Sequence, residues 1–491
     1  GIDGILEEFR GQAEDAPTEF ADPINLSPLP AIITGDIQPA FASAISAASP
    51  LVIDLSSAHT GVTLTSWNAS TTETFFDLNA NGFAVQTAWV SGDTGLLGRD
   101  LNSNGLIDSS AELFGSPTVD GFAKLAALDS NHDLRIDNND ADWSTLVVWT
   151  DDSGDAVTQT GELHSLASLG IASIDLAGVA ASTSTISGNP ISHTSKVTFT
   201  GGATATIADA WFIHDNTNSY YVGDYTLDVE TLFLPTLRGY GTLPDLTIAM
   251  SQDSDLKDLV ADFAANFTFA DLASASAAIE DILFKWAGVE SISATSRGSY
   301  IDAQHLGFLE HLVGTDFYQP SWHSANPQSQ AAAFLEDAYQ TALAHLSANL
   351  LIQVGLGELF TNPVTYNPTT GEIEGDLALS SAAIAGLATI APSSSGPNEA
   401  FWQTLAGFVD GTKGIANLTF DEATWIDDAV TASNASLDWS AVLNSYYHDA
   451  GTNSIAGTNV ADTLYGGTTN DSIDGKQGND IIHGSFGNDT L

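Results

Sequence analysis

The spacing of hydrophobic and polar positions changes along the chain, and the changes predict three regions after an entry segment. Residues 1–48 are interrupted by prolines. Over residues 49–226, short apolar runs alternate with Asp-, Asn- and Gly-rich loops, which predicts β-strands joined by turns. The apolar runs at 196–200 and 203–207 flank two consecutive glycines, Gly201 and Gly202, and predict a β-hairpin.

Beyond residue 227 the apolar spacing becomes helical. Apolar residues recur three and four positions apart, which places each group on one helix face. The groups are Leu256, Leu259, Val260, Phe263 and Phe267; Ile279, Ile282, Leu283 and Trp286; and, after Asn326–Pro327, Phe334, Leu335, Ala338, Ala342 and Leu346. Further helices are expected over 380–387, 399–409 and 421–447. We interpret these stripes, and Trp286, Trp322 and Trp402, as core positions rather than as a ligand groove.

The last 41 residues, 451–491, contain a repeat of nine residues. Its aspartates are Asp462, Asp471, Asp480 and Asp489, and each is followed two positions later by Leu464, Ile473, Ile482 or Leu491. Glycines permit tight turns, carboxylates suit a hard cation, and the aliphatic residue is expected to point inward. The period is typical of a calcium-binding parallel β-roll. A flexible Gly- and Asn-rich tail is the alternative.

Four loops between residues 77 and 162 begin with Asp and offer oxygen atoms at alternating positions, as EF-hand-like calcium loops do. The candidate ligands are Asp77, Asn79 and Asn81; Asp100, Asn102, Asn104, Asp108 and Glu112; Asp129, Asn131, Asp133, the carbonyl of Arg135, Asp137 and Asp140; and Asp151, Ser153, Asp155 and Glu162. Polar turns stabilised by Asx side chains, without metal, are the alternative.

These loops depart from the EF-hand pattern in three ways. Leu134 and Ala156 occupy position 6, where glycine is usual because of its positive φ. Glu112 falls at position 13 of its loop instead of 12, so the loop closes differently or another residue completes the site. The Asp77 loop has only the front half of the pattern before strand-like sequence begins.

The chain is strongly acidic, with 62 Asp and Glu residues against 11 Lys and Arg and a formal net charge of −51. Such a chain repels nucleic acid and anionic membrane surfaces, and it also repels itself when compact. Several bound Ca²⁺ ions would relieve this repulsion and link folding to metal. A solvated acidic surface is the alternative. At 491 residues the chain is expected to hold about three domains.

Cysteine is absent, so stability must come from cores and ions and not from disulfides. No basic segment with a long apolar run opens the chain, and no apolar run is long enough to span a bilayer. Because the sequence stops within a repeat at Leu491, we expect a fragment of a longer protein. No HExxH, GxSxG or Walker motif is present, and His305, His311 and His323 are expected to be surface residues instead of zinc ligands.

Several motifs give the chain a family resemblance. They are SPLVIDL from Ser49, RDLNSNGLID from Arg99, ELFG from Glu112 and GELHSLASLGI from Gly161, with LRGYGTLPDL from Leu237 and ILFKWAG from Ile282 further on. The chain resembles RTX proteins exported by type I secretion, and residues 49–175 resemble the self-processing module of Frp-type members. The later motifs resemble the helical module that accompanies it.

The resemblance and the patterns together imply a multidomain α+β protein. Its predicted parts are a proline-rich entry segment (1–48), a β/α module with EF-hand-like calcium loops (49–226), a mostly helical module (227–450) and a C-terminal parallel β-roll (451–491). The resemblance implies a secreted, calcium-binding cell-surface or adhesin-like protein. Its expected partners are calcium and, beyond it, other surface proteins, glycans or copies of itself.

The resemblance also implies a competing activity. In Frp-type modules, calcium triggers cleavage of an Asp-Pro bond, because the aspartate carboxylate attacks its own carbonyl and the prolyl nitrogen leaves. The matching dipeptide here is Ser49–Pro50, which has no carboxylate. Asp22–Pro23 is the only Asp-Pro in the chain and is the alternative cleavage site. No catalytic residue is therefore assigned, and a self-processing module and an RTX toxin segment remain alternatives.

Overall fold

The computed structural model describes residues 49–68, 71–115, 119–318, 324–360, 362, 364–375, 381–392, 401, 404–405, 454–456, 463–465, 472–476, 481–483 and 490–491. The entry segment 1–48, the helices expected over 421–447 and most of 399–409, and the side chains of Phe334, Trp322 and Trp402 lie outside this description.

A large antiparallel sheet organises the first half of the described chain. The strands up to residue 221 are β1 (Leu51–Asp54), β2 (Phe75–Phe76), β3 (Phe83–Thr87), β4 (Thr94–Gly98), β5 (Arg135–Asp137), β6 (Val147–Trp149), β7 (Leu163–Ser165), β8 (Ile171–Asp175), β9 (Ala180–Ile186), β10 (Asn189–Phe199), β11 (Thr204–Ala210) and β12 (His214–Tyr221). The sheet runs β5-β8-β10-β11-β1-β4-β6-β7, and β9 also pairs with β10. The predicted hairpin at Gly201–Gly202 is confirmed as the β10–β11 turn.

The central strands bury both faces because their side chains alternate between two cores. Leu51 and Ile53 point to one core, which a short helix, α1 (Gly121–Ala126), covers with Phe122 and Leu125. Val52 points to the other core, which the smaller sheet β12-β3-β2 covers.

Four aromatic rings fill the second core. Trp89 packs against Phe76, Phe212 and Trp149, with ring centroids 4.9, 5.4 and 5.5 Å apart. Trp89 and Trp149 are fully buried, and such tilted and edge-to-face contacts are favourable geometries for aromatic pairs. The two indoles therefore lie beside the loop that follows β6.

Helices dominate the described residues beyond 227, as predicted. They are α2 (Leu246–Gln252), α3 (Ser254–Asn266), α4 (Leu272–Ala287), α5 (Ala303–Val313), α6 (Ser329–Gln353) and α7 (Ser381–Ile390), with a two-stranded ribbon of β13 (Thr365–Asn367) and β14 (Glu372–Glu374). Single 3₁₀ turns lie at Ser110–Glu112, Trp143–Thr145, Val229–Phe233, Phe269–Asp271 and Leu356–Leu359.

The predicted helix stripes form one helical core, with two corrections. Leu256, Val260 and Phe263 are buried in α3, but Leu259 is 38% exposed because it lies one residue, about 100° of helix rotation, away from Val260. Phe267 lies beyond the end of α3. Trp286 is buried and donates a hydrogen bond from Nε1 to the Pro244 carbonyl at 2.9 Å, which makes it a core residue as predicted.

Hydrogen bonds join β12 to the helical part. The Ser219 hydroxyl donates to the Gly241 carbonyl at 2.6 Å, the Gly241 N–H donates to the Thr217 carbonyl at 3.0 Å, and Asn216 donates to the Thr315 hydroxyl at 2.9 Å. The chain therefore passes from sheet to helices through a polar, hydrogen-bonded junction.

Four short strands are described in the repeats. They are β15 (Ser454–Ala456), β16 (Thr463–Tyr465), β17 (Ser472–Asp474) and β18 (Ile481–His483). β15 pairs in parallel with β17, Ser454 opposite Ser472, and β16 pairs in parallel with β18, Thr463 opposite Ile481. Each strand therefore pairs with the strand two repeats away. Ile473 is buried between exposed neighbours, as its predicted inward orientation requires.

The mixed α/β class is confirmed. In the described residues, no helix combines the length and the apolar character that crossing a bilayer requires.

We predict that Asp215, on β12 at this junction, makes stability depend on pH. Burial raises the pKa of Asp215 to about 6, although N–H groups of Thr217 and Asn218 and the charge of Arg238 oppose the shift. Between about pH 4 and 6 the unfolded state ionises this group before the folded state does, so the free energy of unfolding should fall as pH rises. In Asp215→Asn this fall should be smaller. Urea denaturation from pH 4 to 7 measures it, and identical slopes would contradict the prediction.

Candidate metal centres

The four predicted loops share one backbone conformation. Their fourth and sixth residues all have positive φ. At position 4 the angles are 50° for Ala80, 60° for Ser103, 59° for His132 and 74° for Gly154, and at position 6 they are 84° for Gly82, 81° for Gly105, 62° for Leu134 and 58° for Ala156. Leu134 and Ala156 thus adopt the left-handed conformation that glycine normally supplies at position 6.

The first aspartate organises each loop by accepting hydrogen bonds from its backbone. One carboxylate oxygen accepts the N–H of position 6 in every loop, at 2.8 Å for Asp77, 2.8 Å for Asp100, 2.9 Å for Asp129 and 2.7 Å for Asp151. In Asp77, Asp100 and Asp129 this oxygen keeps a second lone pair for a cation, whereas in Asp151 both oxygens accept two hydrogen bonds each, so a cation would have to displace a donor there.

The last acid of three loops closes them in one way. Glu112, Asp140 and Glu162 each accept the N–H groups of positions 2 and 9 of their own loop. The distances are 2.9 and 3.2 Å for Glu112, 2.8 and 2.9 Å for Asp140, and 3.3 and 2.8 Å for Glu162. Glu112 at position 13 therefore takes the place that position 12 has in the other two loops.

These closing acids are almost fully buried, with exposures of 4% for Glu112, 5% for Asp140 and 6% for Glu162. Among the described residues, no Lys, Arg or His forms an ion pair with any of them. Although burial opposes it, hydrogen bonds from backbone N–H groups and Ser130 lower the pKa of Asp140 and so favour its charged form. Each loop therefore provides a concentration of negative charge that a hard cation would bind.

The fourth loop is attached to the aromatic core. Trp89 donates from Nε1 to Asp151 Oδ2 at 2.8 Å, and Trp149 donates from Nε1 to Glu162 Oε2 at 3.1 Å. The first and last acids of this loop are therefore held by two buried indoles, which positions both carboxylates before any ion arrives.

The Asp77 loop differs from the other three. It has the shared turn, but positions 12 and 13 are Ala88 and Trp89, so it has no closing acid. Burial raises the pKa of Asp77 against four backbone hydrogen bonds, and the Asn79 amide donates to Asn216 Oδ1 at 3.2 Å. The structure thus brings together Asp77, Asn79 and Asn81 as half a loop only.

Other candidate ligands stabilise the loops from within. The side-chain oxygens of Asn102 and Asn131 accept the N–H of position 5, and those of Asn81, Asn104 and Asp155 accept the N–H of position 7. Ser153 donates to Asp151, while Asp108 and Asp137 accept from neighbouring asparagines. Asp133 and the Arg135 carbonyl occupy positions 5 and 7 of the third loop. Asp462, Asp471, Asp480 and Asp489 lie outside the described residues.

One charged cluster was missed by the sequence interpretation. Asp120, His193 and Asp209 each bring a ligating atom within 4.8 Å of the others. The available signal was Asp209 itself, because Ala205 and Ile207 precede it at alternate positions of β11 and point into the α1-covered core. A charged residue is unusual at the next position of such a buried row. His193 and Asp120 are not adjacent to Asp209 in the sequence and come close to it only in the folded chain.

His305 and His311, which we expected at the surface, are half-buried. The ring of His305 stacks on Tyr339 with centroids 3.8 Å apart, and its Nδ1 lies 2.9 Å from Glu336 Oε2. His311 contacts the Thr242 hydroxyl through Nδ1 at 2.8 Å, and burial lowers its pKa. The prediction of surface residues was wrong for both, because each packs between elements of the helical core. His323 lies outside the described residues.

Comparison with known proteins gives the class of each part. Residues 51–213 match the SPM domain family, and residues 456–491 match the RTX calcium-binding nonapeptide repeat in four copies. The chain is also similar to the iron-regulated protein FrpA of Neisseria meningitidis serogroup C, with 37% identity over 224 residues. That alignment covers 44% of this chain and 20% of the relative.

These findings confirm the predicted RTX repeats and the resemblance to an Frp-type module. The chain therefore contains calcium-binding RTX repeats together with an SPM domain. The SPM match begins at β1 and ends just before β12, so it contains all four Asp-initiated loops.

Because position 6 has a positive φ, we predict that introducing glycine there in one loop and removing it in another change the free energy of unfolding in opposite directions. Replacing Leu134 by Gly should raise the free energy of unfolding by about 0.5–1 kcal/mol, because a left-handed residue other than glycine is strained. Leu134 is 58% exposed, so little packing is lost. Gly105→Ala should lower stability by a similar amount, because a Cβ there meets no atom within 4 Å and only the backbone strain changes. Urea denaturation at one fixed calcium concentration measures both changes, and equal signs would contradict the account.

Proposed function

We propose that this chain is part of a secreted RTX protein that folds on binding Ca²⁺ outside the cell and acts as a calcium-stiffened structural or adhesin-like segment. The observation that carries the proposal is the repeated loop closure by Glu112, Asp140 and Glu162, three buried acids with which no Lys, Arg or His of the described residues forms an ion pair. Oxygen-only ligand sets of this kind suit Ca²⁺.

The charge of the chain supports the same proposal. Each Ca²⁺ ion would neutralise two of the 51 excess negative charges, and ions in the loops would do so where the acids are buried. Low cytosolic calcium would then leave the chain extended and exportable, while external calcium would make it compact. RTX repeats support export by type I secretion.

The repeats support a β-roll that continues this calcium-dependent part. Pairing between strands 18 residues apart is what two sheets of a roll require when successive repeats alternate between them. Asp462, Asp471, Asp480 and Asp489 would bind Ca²⁺ in the turns. In the proposed division, an entry segment (1–48), the loop module (49–226), the helical module (227–450) and the roll (451–491) follow one another. The proposed partners are other surface proteins, glycans or a second copy of the chain.

Calcium removal tests the proposal. EDTA should cause a large loss of ordered structure in the far-ultraviolet circular dichroism spectrum, and excess Ca²⁺ should restore it, because the buried acids then regain their counter-ions. Asp140→Asn should bind fewer Ca²⁺ ions per chain by calorimetry than the wild type. Asp258→Asn, which changes an exposed acid on α3, should bind the full number and serves as the matched control. A spectrum unchanged by EDTA would overturn the proposal.

Self-processing is the second candidate function, supported by the match of residues 51–213 to the SPM domain. Ser49 and Pro50 are buried at the start of β1, where the Pro50 carbonyl accepts the N–H of Ala210 at 3.1 Å and Gly115, at φ +127°, packs against the Ser49 backbone. The dipeptide is thus held in one conformation, but Ser49 has no carboxylate to attack its own carbonyl.

Ser49→Asp should therefore gain calcium-dependent cleavage before Pro50, while wild-type protein and Ser49→Asn stay intact at that bond, since only the aspartate supplies an attacking carboxylate. Mass spectrometry after adding Ca²⁺ detects a fragment that begins with Pro50. Cleavage in the asparagine variant, or none in the aspartate variant with its calcium sites filled, would contradict this mechanism. A wild-type fragment that begins with Pro23 would instead favour processing at Asp22–Pro23.

A further inference from the structure

A buried acid lies between two strands at the centre of the large sheet. Asp209 on β11 is 0% exposed and pairs in register with Leu51 of β1 on one side and His193 of β10 on the other. Directly paired residues of antiparallel strands point to the same face. Asp209 therefore faces the core that α1 covers, and Asp120, the residue that caps α1, approaches it from that helix.

A β-bulge brings two consecutive residues of β10 to this acid. The register of β10 against β11 shifts between Ile191 and His193, so Ser192 is the extra residue. The Ser192 hydroxyl donates to Asp209 Oδ2 at 2.8 Å and lies 3.2 Å from His193 Nδ1. Bulges of this kind redirect side chains and are frequent beside functional sites.

The single proton of the Ser192 hydroxyl fixes the histidine tautomer. An ionised Asp209 can only accept, so Ser192 gives it that proton. His193 Nδ1 must then donate its own proton to the Ser192 oxygen, which leaves the lone pair of His193 on Nε2. A histidine held through one nitrogen by a neighbouring group, with the other nitrogen available, has the arrangement of a metal ligand.

The other oxygen of Asp209 has no partner. Asp209 Oδ1 is buried and accepts no hydrogen bond in the described structure. Burial raises the pKa of Asp209 to about 7; the charge of Asp120 adds to this shift, while the hydroxyls of Ser192 and Ser49 and the Gly121 N–H, which also lie beside this carboxyl group, oppose it. An unpartnered buried carboxylate oxygen is costly unless a proton or a cation meets it.

We propose that Asp120, His193 and Asp209 form a binding site for a divalent transition-metal ion of the Zn²⁺ class, separate from the calcium loops. None of the three residues belongs to a loop that begins at Asp77, Asp100, Asp129 or Asp151. Two carboxylates and one imidazole form a ligand set that suits Zn²⁺ and leaves a fourth position for water. The cation would sit against Asp209 Oδ1, the oxygen that lacks a partner.

Small side-chain movements would bring the three ligating atoms to the spacing that a bound Zn²⁺ requires. The three ligating atoms lie within 4.8 Å of one another, whereas ligands of a tetrahedral Zn²⁺ lie about 3.4 Å apart. Asp120 and His193 are half-buried and can rotate, while Asp209 is fixed in the sheet. One oxygen of Asp120 accepts the N–H of Ala123 at 2.9 Å, so its second oxygen remains for the ion.

The nearest basic side chain of α1 does not neutralise the cluster. Lys124 donates to the Gly115 carbonyl, and burial lowers its pKa. Asp209 accepts a hydrogen bond from Ser192, with Ser49 and Gly121 nearby, and no Lys, Arg or His in the described part of the chain forms an ion pair with it. The imidazole separates this site from the loops in selectivity, because calcium prefers oxygen ligands and every candidate ligand atom of the loops is an oxygen.

Cobalt and zinc binding tests the site in the full chain, with the loops already filled by excess Ca²⁺. We expect Co²⁺ to produce the visible absorption bands of a tetrahedral site with a nitrogen ligand, and Zn²⁺ to displace it. His193→Ala and Asp209→Asn should abolish the bands. Ser192→Ala should weaken binding by about 10- to 100-fold, because it removes the group that orients His193.

Two matched variants serve as controls. His164→Ala removes a half-buried histidine of β7, and Asp215→Asn removes another buried aspartate; both should keep the cobalt bands. His193→Gln keeps the side-chain size if His193→Ala does not fold, and circular dichroism in Ca²⁺ verifies folding of every variant. Absence of the bands in the wild type would overturn the proposal. Bands that survive in folded His193 and Asp209 variants would overturn it as well, because the ion would then lie elsewhere, for example in the repeats.

Discussion

Carboxylates held by backbone N–H groups are the interaction on which the first half of this structure depends. In each complete loop, the first acid accepts the N–H of position 6, and the last acid accepts the N–H groups of positions 2 and 9. These bonds orient the acids but leave their charge in place. Since the acids are buried and the chain carries 51 excess negative charges, the proposed function gives cations from solution the role of offsetting this charge as the chain becomes compact.

Hydrogen bonds and strand pairing connect the loops to the aromatic core and the sheet, so a metal ion bound in a loop would affect the rest of the fold. Trp89 and Trp149 join the acids of the fourth loop to the aromatic core, and the third loop contains β5, which pairs with β8 at the edge of the sheet. At the other end, β12 is tied to the helices through Ser219 and Asn216. A change in one loop can therefore reach the core through a short chain of hydrogen bonds and packed rings.

The features that depend on a short stretch of sequence could be predicted from that stretch alone. The Gly201–Gly202 hairpin, the buried stripe of α4 and the four loops follow from turn chemistry and periodicity. What the sequence left open, missed or got wrong depends on tertiary context. Sequence spacing could not show that Glu112 replaces a position-12 acid, that Leu134 accepts a left-handed backbone, or that Leu259 faces solvent. The Asp120, His193 and Asp209 cluster is assembled across 89 residues by strand pairing and a bulge, which no single segment encodes.

Two kinds of buried acid therefore coexist in one module, and their surroundings differ in a chemically meaningful way. The closing acids of the loops accept backbone N–H groups and lie in loops whose candidate ligands are all oxygen atoms, which suits a hard ion that takes many ligands. Asp209 has one hydroxyl donor, one unpartnered oxygen and an imidazole beside it, which suits an ion that takes few ligands and accepts nitrogen. Because ligand type separates the two, calcium bound in the loops would leave the centre of the sheet to the second ion. In the two proposals, the same sheet would therefore respond to two cations through different residues.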